Sequence, residues 1–204
     1  MEQTYISPAT PTQMLAAEEF FGATWQKLMI WVFIVGDALL FAGFLASYGF
    51  LRIASPSWPD RSRVFHLQLI ALMTFILISS SAAMASAVAA AQRGDRSKLV
   101  QFLLLTTCGG VLFLGLQAYE WTSVIREGGR LFANPWGVPL FTSCFFLITG
   151  FHGTHVLTGV IILAITAFRS ARGRATSNGV EVAGLYWHFV DLVWVFIFTL
   201  FYLI

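Results

Sequence analysis

The chain has 204 residues, of which 57% are hydrophobic and only 11% charged, with a net charge of +2. Its mean hydropathy is +0.75. A water-soluble domain carries about 25% charged residues, so this chain has too few to cover a water-facing surface, and its solvent is mostly lipid. No basic stripe runs through it, which excludes a nucleic-acid partner.

Residues 1–27 form a polar N-terminal tail with Glu2, Glu18 and Glu19 and without the basic start of a signal peptide. Residues 28–204 are predicted to form a single transmembrane domain. A helical span needs about 20 apolar residues. Five runs qualify: Leu28–Leu51, His66–Ala91, Leu99–Val124, Gly137–Phe168 and Val180–Ile204. The expected fold is therefore all-α, an antiparallel bundle of five transmembrane helices. The breaks between runs hold nearly all the charge and most of the proline, as in Ser55-Pro56-Ser57-Trp58-Pro59-Asp60-Arg61.

An odd number of spans puts the termini on opposite sides. Lys27, Arg93, Arg96, Lys98, Arg169, Arg172 and Arg174 fall on the N-terminal side, and Arg52, Arg61, Arg63, Arg126 and Arg130 on the other. Seven cations against five favour a cytoplasmic N-terminus and a periplasmic C-terminus. The second span contains the small-residue run from Ser79 to Ala91, which reads as a seam where helix backbones approach closely. Trp25, Trp58 and Trp136 fit aromatic belts at the two interfaces. Cys108 and Cys144, the only cysteines, lie in apolar runs and read as small buried hydrophobes.

Ionisable residues inside spans are costly, and each asks for a reason. Asp37 falls near the middle of the first run, Glu120 near the far end of the third, and Asp191 in the fifth. His152 and His155 stand three apart in the fourth, and His188 and Asp191 repeat that spacing in the fifth, which places each pair on one helix face. Three readings are open. Glu120, His152, His155, His188 and Asp191 have metal-ligand chemistry, but the Glu-x-x-His pattern of a di-metal bundle is missing. Asp37, alone or with Glu120, could serve a proton path. The plainest reading is interhelical hydrogen bonding in which histidines and carboxylates fix the third, fourth and fifth helices. Asp37 stands apart, because no His, Lys or Arg lies within a turn of it on its own helix.

These same residues carry a resemblance. Gly150-Phe151-His152-Gly153-Thr154-His155-Val156-Leu157-Thr158-Gly159 is similar to the GFHGxHVxxG motif of subunit III of haem-copper terminal oxidases. Tyr186-Trp187-His188-Phe189-Val190-Asp191-Leu192-Val193-Trp194 resembles its YWHFVDxVW motif, and Leu116-Gln117-Ala118-Tyr119-Glu120-Trp121 its LQxxEY element. Asp37-Ala38-Leu39-Leu40-Phe41-Ala42-Gly43-Phe44 resembles the family's E-V-L-F-F-x-G-F stretch, with Asp37 one methylene shorter than the family's Glu. The resemblance covers nearly all of Trp25–Ile204.

The resemblance implies a fold and a role. Larger members have seven helices split by a lipid-filled cleft, and this chain is similar to the short five-helix bacterial form. The implied subunit is non-catalytic. It would bind no haem or metal, with both held by partner subunits I and II. It would retain phospholipid, support proton uptake and stabilise the catalytic subunit of a proton-pumping oxygen reductase, cytochrome c oxidase before quinol oxidase, in a bacterial inner membrane. Arg169 stands where the family offers an arginine to lipid phosphate. Two counts agree with a non-catalytic role: the chain has four histidines, fewer than a two-haem copper centre takes by family comparison, and its two cysteines are unpaired. Surface histidines on the proton-uptake side, which some members carry, are missing from residues 1–27, 92–98 and 169–179. The alternatives are an accessory subunit of a nitric oxide reductase system, a small transporter and a membrane metalloenzyme.

Overall fold

The computed structural model describes residues 19, 20, 23–60 and 64–203. Most of the expected N-terminal tail lies outside the described residues. Its last part forms a minimal antiparallel ribbon, β1 (Glu19–Phe20) against β2 (Ala23–Thr24). Five long helices follow: α1 (Trp25–Ala54), α2 (Leu67–Gln92), α3 (Arg96–Arg126), α4 (Pro139–Ala171) and α5 (Ser177–Ile197). The α5 rod continues as a π-helical turn over Phe198–Leu203. All five rods are long and apolar enough to cross a membrane, where a helix satisfies every backbone polar group internally. The chain is a multi-pass membrane protein of all-α class.

Four of the five helices run past both ends of the runs that predict them or shift by a residue or two, and the reason is local. Hydropathy marks the part of a rod in hydrocarbon, whereas the helix continues into the interface until something stops it. Between α2 and α3 the stop is Gly94, whose φ of 72° is the left-handed conformation that favours glycine. Asp95 then caps α3 by accepting from the Lys98 backbone N–H at 3.1 Å. Thr176 caps α5 in the same way, accepting from the Gly179 N–H at 3.2 Å. At the C-terminus of α4, Arg96 donates to the carbonyls of Ser170, at 2.9 Å, and of Ala171. A cation there also complements the helix dipole.

Packing is most extensive between α2 and α3, then between α3 and α4, with α5 lying against α2 and α4. The small-residue run does form a seam: Ser80, Ala83, Met84, Ala87 and Ala90 are buried. A Cβ added at Gly109 of α3 would come within 2.8 Å of the Ser80 Cβ. Trp187 of α5 fills the space left by two glycines. A Cβ at Gly110 would stand 2.6 Å from its ring, and one at Gly159 2.8 Å.

One expectation needs correction. Cys108 is exposed on the outer face of α3 and Cys144 is half-buried. An exposed thiol here faces the apolar surroundings of α3, so no burial was needed to accommodate it. Trp58 and Trp136 lie at the same end of the bundle. Both set their rings edge-on against Phe141, at 5.7 and 6.2 Å, in an aromatic cluster with Tyr48, Phe65 and Phe201 at the far end of the bundle. Trp25 is exposed.

Candidate functional site

Asp37 sits on the inward face of α1, nine-tenths buried. Its partner comes from another helix: His155 Nε2 of α4 lies 3.3 Å from Asp37 Oδ2. His155 Nδ1 is 2.9 Å from the Phe151 carbonyl one turn back. A carbonyl oxygen only accepts, so Nδ1 carries hydrogen, and Nε2 is the atom left to face the carboxyl group. The Asp37 contact has ion-pair length but not the alignment of a hydrogen bond, and Oδ2 accepts none from the described residues. A net charge in hydrocarbon is costly. Each group is thus the other's ionisable neighbour across the α1–α4 contact.

Aromatic rings surround the couple. Phe151, Phe41 and Phe33 place their centroids 4.7, 5.6 and 6.4 Å from the His155 ring. Tyr186 of α5 donates its hydroxyl to the His155 backbone carbonyl at 3.1 Å. Next to His155 lies a cavity of about 410 Å³ lined by Ile30, Phe33, Thr154, Thr158, Ile162 and Tyr186. The site thus joins α1, α4 and α5 and borders a lateral recess.

The other ionisable residues do not form one network. His152 is fully buried, stacked on Trp194 at 5.2 Å and edge-on to Phe113 at 5.8 Å, and neither ring nitrogen has a partner among the described residues. His152 and His155 thus serve different surroundings despite their spacing, because 60° of rotation separates the core from the α1 groove. His188 Nδ1 meets the Ser81 hydroxyl of α2 at 2.6 Å. Asp191, one turn on, is buried with Ser81 as its polar neighbour and no aligned hydrogen bond of its own. Glu120 is buried on α3, with Oε2 unpartnered.

The hydrogen bonds that do tie the core use residues that sequence reasoning passed over. Gln117 donates to the Thr149 carbonyl at 2.7 Å, and Trp121 to the Thr149 hydroxyl at 3.1 Å. Trp187 donates to Ser80 at 3.1 Å and Trp194 to Thr74 at 3.0 Å. The signal was present: two tryptophans in the fifth span, seven apart, face the serine-threonine side of the second. Among the described residues, no group of three or more His, Cys, Asp or Glu side chains is placed to hold a metal ion.

Arg169 is near the opposite end of α4 from Pro139. Its exposed side chain joins Gln26, Ile162, Ile165, Thr166 and Thr176 around a groove of about 420 Å³. Lys27 and Glu181 pair at 2.5 Å at this end, with Gln92 donating to Glu181 at 3.0 Å, so α1, α2 and α5 are linked there.

The arrangement defines a membrane bundle with a buried acid–histidine couple, without a metal-binding cluster among the described residues. The sequence of residues 17–204 matches the profile of cytochrome c oxidase subunit III. The chain is 34% identical over 183 residues to cytochrome c oxidase subunit 3 of Thermostichus vulcanus, covering 88% of this chain and 87% of the relative. It is 37% identical over 178 residues to the subunit 3 of Synechocystis, covering 85% and 73%. It is 35% identical over 181 residues to quinol oxidase subunit 3 of Bacillus subtilis, covering 86% and 85%. The chain belongs to the cytochrome c oxidase subunit III family. It is a non-catalytic subunit of a terminal oxidase complex. The oxidase names of these relatives give no support to the nitric oxide reductase alternative.

Proposed function

We propose that the chain supports proton supply, lipid retention and stability of the catalytic subunit in a proton-pumping oxygen reductase of a bacterial inner membrane, with its N-terminus cytoplasmic. The observation that carries the proton-linked part is the buried Asp37–His155 couple, 3.3 Å apart and bordering a recess at the α1–α4 groove. A carboxyl group and an imidazole in contact can pass a proton between them without changing the net charge of the pair. Glu120 is a second buried acid that could be proton-linked. His152, by stacking on Trp194, and His188, by its bond to Ser81, join α5 to α4 and α2, Asp191 lies buried beside Ser81, and Arg169 holds a lipid phosphate.

The direct partner is subunit I, with subunit II in the same complex, and haem and copper reside in those partners. When bound there, these groups supply electron transfer and oxygen reduction. Cytochrome c is the preferred electron donor, since the family profile and two of the three relatives above carry that name, while quinol oxidases are also among the relatives. The test is a mild-detergent pull-down through a tag on the N-terminal tail, read by haem spectrum and oxygen consumption. Co-purified haem with cyanide-sensitive oxygen uptake driven by reduced cytochrome c is the expected result. Uptake only with quinol would reassign the donor, and a haem-free chain would overturn the proposal.

A further inference from the structure

We infer that the groove between α3 and α4, at the end opposite Arg169, is a binding site for one diacyl phospholipid of that leaflet, with Arg130 taking the phosphate. The groove holds about 880 Å³ and is walled by Trp121 and Ile125 of α3 and by Phe146, Leu147 and Phe151 of α4. Gly150 forms its floor, where an added Cβ would meet the Trp121 ring at 3.0 Å. Along α4 the lining runs from Phe146 to Thr154, which is about 12 Å at the helical rise. One leaflet of hydrocarbon is about 15 Å deep. The slot therefore matches acyl chains that end near the midplane.

The mouth supplies the headgroup chemistry. Arg130 is exposed, lines the groove, and makes no side-chain ion pair or hydrogen bond among the described residues. The loop that carries it is fixed. Its backbone pairs with Ala133, donating at 2.7 Å, and Ser143 donates to the neighbouring Leu131 carbonyl. An arginine fork held at the interface matches a phosphate diester. Leu131 and Phe132 are exposed beside it and extend the apolar wall into the interfacial layer. This site is separate from the Arg169 groove, because α4 runs from one to the other across the membrane.

The test is native mass spectrometry of the assembled complex in mild detergent, comparing wild type with Arg130→Gln, Leu147→Trp and Arg126→Gln. Arg130→Gln should lower occupancy of one phospholipid adduct on this chain about tenfold, the loss of one charge-assisted contact. Leu147→Trp, which fills the slot from an exposed position, should do the same, and Arg130→Lys should recover part of the loss. Arg126, which does not line the groove, serves as the control. A photo-crosslinker at position 147 should capture lipid. Unchanged adduct occupancy in both groove variants, or capture of a polypeptide instead, would overturn the assignment.

Discussion

Replacing His155 by Leu tests the couple more sharply than replacing Asp37. The two groups are 3.3 Å apart, with side chains 14% and 8% exposed. Without the imidazole, the buried Asp37 carboxyl loses its ionisable neighbour across the α1–α4 contact. A buried polar group orphaned in this way costs about 1–3 kcal/mol, which is about 5- to 150-fold in the folded fraction. Asp37→Asn is gentler: its amide can donate to a neutral Nε2, so the contact survives while the exchangeable proton is lost. Asp37→Leu with His155→Leu removes both polar groups and should restore at least about 1 kcal/mol relative to the sum of the single losses. The assay is the heating midpoint for retention of the monodisperse complex in detergent, paired with steady-state oxygen consumption. His155→Leu should lower the midpoint, whereas Asp37→Asn should leave it near wild type and shorten the working life of the oxidase. Equal midpoint losses for Asp37→Asn and His155→Leu, or strict additivity in the double variant, would refute the reasoning.

Three further outcomes follow from the packing and the caps. Gly110→Ala forces a methyl to within 2.6 Å of the buried Trp187 ring and Val160, and overpacking of this kind costs about 1–3 kcal/mol, visible as a lower heating midpoint. Gly115→Ala, where nothing lies within 4 Å, should be neutral or slightly stabilising in the same assay. Arg96→Ala removes a donor from the Ser170 and Ala171 carbonyls and should speed amide hydrogen exchange in the residue 172–176 turn without changing exchange at the far end of α4. The carboxyl group of Asp95 is held below the ordinary value of 3.8, chiefly by the Lys98 backbone N–H. Because its folded value is depressed, its contribution is present above pH 3.8 and lost as pH falls through the folded value. Protection of the Lys98 amide, taken relative to its intrinsic exchange rate at each pH, should therefore fall in acid in the wild type and stay constant in Asp95→Asn.

The span count and class were legible because lipid imposes a strong rule: about 20 apolar residues, helical, in each crossing. Pairings between helices were less legible. Spacing along one helix put His152 beside His155 and His188 beside Asp191. The fold instead directs His155 to Asp37, more than a hundred residues away in sequence, and His188 to Ser81. Periodicity orders residues around an axis but does not say which neighbour faces each angle. The hydroxyl partners Ser80, Ser81, Thr74 and Thr149 read as spacing material because small polar residues are common in membrane helices. The tryptophans they satisfy are what made them specific. Arg96 reads in sequence as one more cation for the orientation rule, and only the turn at Gly173 shows it reaching the end of another helix.

The placement of the couple matters because of the helix that carries it. Only 6% of the most apolar window of α1 is buried within the chain, against 56% for that of α5. Outward residues such as Val32, Val35 and Leu39 are exposed. In lipid, apolar contact alone does little to hold one helix on another, since the acyl chains offer the same contact. Position must come from close packing and polar bonds. For α1 these include Phe41 and Tyr48 in the core, Lys27 with Glu181 and Gln26 with Asn178 at one end, and Asp37 with His155 near the middle. The residue proposed to handle a proton is thus also a main fixing point of the least buried helix. Loss of the His155 contact should loosen α1 first, so hydrogen exchange in α1 should rise in His155→Leu while α2 and α3, joined by the small-residue seam, remain protected. Uniform loosening of all five helices would show instead that the couple stabilises the bundle as a whole.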